Sequence, residues 1–132
     1  SDLVSQLQQD KDVVLLGRVA DTELVKFYSN AMAFVFPSFY EGFGIPVLEA
    51  QACGCPVISS DSSALLEVLG DSAILCNSNK ENDFAKAIIK IAQDKIMSEY
   101  LVRRGYENVK RFSWGRSAEY IRDIIKSYDD EY

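Results

Sequence analysis

From Val13 onward the chain alternates short apolar runs with stretches of helical period, the sequence form of successive βαβ units around a parallel sheet. Four runs read as strands: 13–17 (VVLLG), 33–37 (AFVFP), 56–60 (PVISS) and 73–76 (AILC). They lack polar alternation, as expected for strands covered on both faces, so helices must lie on both sides. The spacing predicts a helix opening after Asp21, capped by that side chain, with Leu24, Phe27, Tyr28 and Ala31 on one stripe. A short helix is expected to begin at Pro46, and a third to run through Leu65 and Leu69 to a stop at Gly70. Ser78-Asn79-Lys80-Glu81 has the form of a capping box ahead of a helix presenting Phe84, Ile88, Ile91 and Ala92. Two further helices are expected over 96–111 and 114–128, the second capped by Ser113 and packing through Trp114, Ala118, Ile121 and Ile125, ahead of a frayed acidic end.

Composition adds a size and excludes several partners. A chain of 132 residues, 48% apolar and 26% charged, can bury a single core, and no repeat or linker divides it, so 1–132 reads as one α/β domain. The net charge of −6 argues against a surface built for nucleic acid or anionic lipid. The longest apolar run, 31–37, is far short of a membrane span, and the Gln- and Asp-rich start lacks signal-peptide character. Cys53, Cys55 and Cys76 are odd in number and lie among apolar residues, which fits reduced thiols in a cytoplasm. C-x-C spacing in a chain without histidine gives no metal shell.

The chemistry is concentrated in 37–50 (PSFYEGFGIPVLEA), where a strand hands over to a helix. In an open parallel sheet that edge is where ligands bind. As one continuous helix, 41–49 would hold its two carboxylates about 12 Å apart. Gly42, Gly44 and Pro46 disfavour helix there, so the first half is expected as loop and Pro46 as the first helical residue. The outcome is a helix N-terminus whose amides attract phosphate, with Glu41 before it and Glu49 just inside it as acceptors for hydroxyls. Phosphate and hydroxyls together describe a nucleotide sugar. The same two acids could serve as a general acid/base pair, as in glycosidases, or merely complement the helix dipole.

The segments PS at 37–38, EGFGIPVLEA at 41–50, ACGCPVI at 52–58 and EVLGD at 67–71 occur in the order found in the C-terminal domain of the family-4 (group 1) retaining glycosyltransferases, which the chain resembles from Gly17 to Trp114. The resemblance implies a GT-B fold, a Rossmann-like parallel sheet flanked by helices, and transfer of a hexose or N-acetylhexosamine from a UDP- or GDP-sugar to an acceptor hydroxyl with retention, without a bound metal or cofactor. It implies that Glu41 is the catalytic-site residue holding the sugar hydroxyls. Gly42, Phe43, Gly44 and Ile45 would present backbone amides to sugar and phosphate, and Glu49 would accept from the ribose hydroxyls. Gly17, Arg18 and Val19 would lie against the base, with Ser38 and Val47 near the diphosphate.

By the same resemblance 1–132 is a donor-binding domain fragment ending in helices over 96–128. Its first strands, which belong between the 13–17 and 33–37 strands, precede the chain, so self-association through unpaired strands is an expectation. The family's diphosphate-gripping Arg and Lys have no match here. A saccharide or lipid-linked saccharide acceptor would engage through the missing N-terminal domain, in bacterial surface polysaccharide (O-antigen or capsule) synthesis, in the cytoplasm and peripherally at the inner membrane.

Two other classes compete. A dinucleotide-dependent oxidoreductase would need a third glycine where Val47 stands. A doubly wound nucleotide- or partner-binding module would lack transferase activity. Tyr100, Tyr106, Phe112, Trp114, Tyr120 and Tyr128 read as packing rather than a base-stacking platform, and Arg103, Arg104, Lys110 and Arg111 as a solvated helix face.

Overall fold

Strand β2, Val57–Ser60, lies at the centre of the sheet, and all four of its residues are buried. Both neighbours run parallel to it in the computed structural model, which describes residues 2–38 and 44–112. On one side is β1 (Phe34–Phe36), with Phe34 opposite Val57 and Phe36 opposite Ser59; on the other is β3 (Ile74–Cys76), with Ile58 opposite Ile74 and Ser60 opposite Cys76. Parallel neighbours require crossovers, and helices supply them. In chain order the elements are α1 (Asp2–Gln9), α2 (Asp21–Asn30), β1, α3 (Ile45–Ala52), β2, α4 (Ser63–Leu69), β3, α5 (Glu81–Gln93) and α6 (Lys95–Arg111).

The alternation of side chains along β2 divides the core in two. Val57 faces a cluster with Tyr28 of α2, Val47, Leu48 and Ala50 of α3, and Leu65, Val68 and Leu69 of α4. Ile58 faces Cys76, Phe84, Ala87 and Ile91 of α5, and Leu101 of α6. Cover on both faces is the physical reason these strands read as unbroken apolar runs. Tyr28 closes the first cluster edge-on against the Phe34 ring, centroids 5.2 Å apart.

Several expectations are corrected. Residues 13–17 form no strand, and Val14, Leu15 and Leu16 are 74%, 49% and 51% exposed. An apolar run becomes a strand only beside a neighbour that accepts and donates its hydrogen bonds, and the described residues place none there. The first helix begins at Asp21 itself, with Ala20 at the cap position and no side-chain capping bond, so Asp21 acts only as a negative charge in the first turn. The capping box at 78–81 does not form either; Lys80 occupies the cap position of α5 without a side-chain bond. Along that helix Phe84, Ala87 and Ile91 are buried, while Ile88 and Ala92 stay exposed. By contrast Asp94 caps α6, its Oδ1 accepting from Met97 N at 2.9 Å, which starts that helix one residue before the expected Ile96.

The short helix α1 has no counterpart among the expected elements, and it buries none of its residues. Arg104 and Arg111 do not form a purely solvated face: Arg104 bonds Asp71 and Glu107, and Arg111 bonds Asn108 and the Val68 carbonyl. The helix expected over 114–128, its Ser113 cap, and Trp114, Tyr120 and Tyr128 lie outside the described residues. Among the described residues no helix is long and apolar enough to cross a membrane.

Candidate functional site

Helix α3 carries the described part of the site, and its two ends are shaped by glycine. Gly44 enters the helix in the left-handed conformation at φ 78°, and Pro46 occupies the first turn, where no N–H is missed. Space as well as dihedral requires glycine here, because a β-carbon would stand 2.9 Å from Leu65 Cδ2 and 3.3 Å from Val47 Cγ2. At the other end the N–H of Gly54 bonds the Gln51 carbonyl at 3.0 Å and that of Cys55 bonds the Ala50 carbonyl at 3.0 Å, with Gly54 at φ 76°. This pair of bonds is a Schellman closure, which fixes where the helix stops.

Between those ends the helix is asymmetric. Ile45, Val47, Leu48, Ala50 and Gln51 are buried, whereas Pro46 and Glu49 are half-buried and Ala52 is exposed. Glu49 therefore lies on the one open stripe, one turn in from the helix start. Its charge reaches Cys53, whose thiol pKa is raised by burial, lowered by a hydrogen bond with Ser29 and raised further by Glu49.

The strand ends supply the rest. Ser38 follows β1 at its carboxyl end, and Ser78 Oγ, after β3, donates to the Ser38 carbonyl at 3.5 Å in place of capping α5. Gly17-Arg18-Val19 directly precede α2, which ends three residues before β1. Gly17 (φ 64°) and Arg18 are exposed and Val19 is half-buried. Gly44 and Ile45 are buried, and Val47 is wholly so, leaving the backbone as the only part of Val47 suited to a polar partner. Glu41, Gly42 and Phe43 lie outside the described residues. Ser38, Gly44, Ile45, Val47 and Glu49 thus share the carboxyl edge of β1 and the start of α3, in the crevice position of open α/β sheets.

On the opposite flank of α3 the structure adds residues that the sequence pattern did not single out. Gln51 is 1% exposed and fully engaged: its Nε2 donates to Ser72 Oγ at 2.9 Å and to the Ser72 carbonyl at 3.3 Å, and its Oε1 accepts from Asn108 Nδ2 at 2.9 Å. Ser72 Oγ passes its proton toward the Leu69 carbonyl at 2.6 Å, and Arg111 Nε donates to Asn108 Oδ1 at 3.0 Å. Gly105 lets α6 come close, since a β-carbon there would touch Gln51 Cγ at 3.3 Å. Gly105, a glycine inside a helix, is the sequence signal that could have pointed to this approach.

Against known proteins, residues 1–108 match the family model described as glycosyl transferases group 1. The chain belongs to the group 1 glycosyltransferases. It is 42% identical over 99 residues to the O-antigen chain mannosyltransferase B of Escherichia coli, covering 75% of this chain and 26% of that protein. To the O-antigen chain mannosyltransferase RfbU of Salmonella typhimurium it is 39% identical over 113 residues, covering 83% and 32%. Among solved structures, the sucrose-phosphate synthase of Thermosynechococcus elongatus superposes with a TM-score of 0.79 at 29% identity, covering 99% of this chain and 34% of that one. This glycosyltransferase chain therefore spans about a quarter to a third of the length of the relatives it matches. The family and the GT-B fold expected from EGFGIPVLEA and the segments after it are both borne out.

Proposed function

We propose that the chain is the donor-binding domain of a retaining glycosyltransferase that moves a hexose from a UDP- or GDP-sugar to an acceptor hydroxyl in bacterial surface polysaccharide synthesis. The names of the two O-antigen mannosyltransferases favour mannose as the hexose. Glu41 holds the hydroxyls of the donor sugar. The amides of Gly42, Phe43, Gly44 and Ile45, with Ser38 and Val47, face the sugar and diphosphate. Glu49 accepts from the ribose hydroxyls, and Gly17-Arg18-Val19 lie against the base. The acceptor, a saccharide or lipid-linked saccharide, binds through parts of the protein beyond this chain, at the cytoplasmic surface of the inner membrane.

The chemistry asked of these groups is electrostatic. As the sugar–phosphate bond breaks, negative charge grows on the leaving diphosphate, and amides already aimed there stabilise the transition state more than the ground state. No metal or cofactor is required of the described residues for that role. The outer edge of β1 and the exposed run at 14–16 also offer a self-association surface, which a mass that stays monomeric at every concentration would remove.

One observation carries this reading: α3 is entered through a left-handed glycine at the carboxyl edge of β1 and holds Glu49 on its only open stripe. Calorimetric titration of the chain with UDP and GDP tests it. The expected result is binding of one of them that weakens about tenfold in Glu49→Gln, the loss of charge-assisted bonds to hydroxyls. No binding, or binding indifferent to Glu49, favours a doubly wound module without a nucleotide.

A further inference from the structure

Glu49 and Gln51 lie two positions apart, which places them about 160° apart around α3. One faces the open stripe; the other faces α6 and the loop before β3. Apolar packing along the rest of α3 resists separation of the helix from its neighbours but is non-directional. Hydrogen bonds are directional, and those of Gln51 run to two separate parts of the fold, Ser72 before β3 and Asn108 on α6. Each end is itself anchored: Ser72 to the Leu69 carbonyl, and Asn108 to Arg111, which also holds the Val68 carbonyl at 2.9 Å. Gln51 is therefore gripped from both sides, and rotation of α3 about its own axis breaks these bonds before it disturbs the apolar contacts.

We propose that Gln51, held by Ser72 and Asn108, is a positioning residue that sets the roll of α3 and thereby the place of the Glu49 carboxylate. The proposal rests on the donor-binding role given above to Glu49. A side-chain tip on a helix lies about 6 Å from the axis, so a roll of about 20° carries it about 2 Å, enough to lose a hydrogen bond to a fixed hydroxyl. Burial of a complete polar network in an otherwise apolar contact fits such a task, since stability alone is served as well by apolar residues of like shape.

The test separates roll from stability. Gln51→Leu leaves Asn108 and Ser72 without their partner and lowers the melting temperature; Gln51→Leu with Asn108→Leu removes both ends of one of those bonds and recovers part of the loss, Ser72 Oγ keeping its bond to the Leu69 carbonyl and Arg111 its bond to the Val68 carbonyl. UDP and 2′-deoxy-UDP, or the guanine pair if GDP is the better ligand, are titrated into the parent, the double variant and Glu49→Gln. The expected parent prefers the ribonucleotide about tenfold, through Glu49, and the double variant loses most of that preference although it is more stable than Gln51→Leu alone. A double variant that keeps the parental preference, even with weaker overall affinity, overturns the positioning role and leaves the Glu49 role intact. A parent with no preference, matched by an unaffected Glu49→Gln, overturns the Glu49 role and this inference with it.

Discussion

Leu65 Cδ2 stands 2.9 Å from the position a β-carbon on Gly44 would take, and Leu65 is completely buried. The start of α3 is thus locked between a dihedral that suits glycine and a neighbour that has nowhere to go. At the far end of the helix a β-carbon on Gly54 would meet the hydroxyl of Tyr106, but Tyr106 is 45% exposed and its tip can swing aside.

The two glycines therefore differ in cost. Gly44→Ala is expected to destabilise by about 3 kcal/mol, combining left-handed strain with overpacking. Gly54→Ala is expected to cost about 1 kcal/mol, from the dihedral alone. Urea denaturation of both variants measures the difference; equal losses would show that Leu65 yields as readily as Tyr106.

Capping gives a second contrast. Asp94→Ala removes the bond to Met97 N and is expected to cost about 1 kcal/mol. Asp21→Ala and Ser78→Ala, at positions where the sequence pattern suggests caps, should each cost less than about half of that, because neither side chain caps its helix. Thermal melts of the three variants rank them.

These caps show where sequence reasoning reaches and where it stops. Period and composition identify β1, β2, β3 and the helices between them, since unbroken apolar runs need cover on both faces whatever the details of packing. The strand expected at 13–17 fails because a strand is a property of a pair, and nothing in VVLLG states which neighbour it needs. The caps at 21 and 78 fail because Ser and Asp satisfy several local geometries, and Ser78 is taken up by the Ser38 carbonyl from another strand end. At the site, glycine and proline spacing points to a loop giving way to a helix because that change is set locally, although the helix starts at Ile45, one residue before the expected Pro46. The Gln51–Asn108 bond joins residues 57 positions apart and is invisible to any local pattern.

Thiol reactivity should follow burial. Desolvation, with the neighbouring Cys53 adding to it, pushes the Cys55 thiol up to about 11, while Cys53 is only half-buried. Alkylation at pH 8 followed by mass spectrometry is expected to modify Cys53 first and to spare Cys55 and Cys76 until the chain unfolds. Because the native Cys55 holds its proton above the unfolded value near 9, its contribution to stability is fully present below pH 9 and is lost as pH rises toward 11.

At the acid end, Arg104 bonds Asp71 at 2.5 Å and holds its carboxyl below the ordinary carboxylate range. A lowered native value means the ion pair contributes fully above the unfolded value near 3.8 and less as pH falls through the native one. Asp71→Asn should therefore lower the melting temperature at pH 7, by a margin that narrows as pH falls below 3.8 and that also shrinks in high salt. A gap that does not narrow in acid would assign the loss to packing.

The donor-binding role proposed for this domain requires a nucleotide diphosphate to meet the chain at the start of α3. Mapping backbone amide shifts by NMR during titration with UDP and GDP tests it most directly. The largest changes are expected on Ser38, Gly44, Ile45, Val47 and Glu49. Changes centred instead on the polar cluster of Asp71, Arg104 and Glu107, or spread over the surface without a centre, would contradict it.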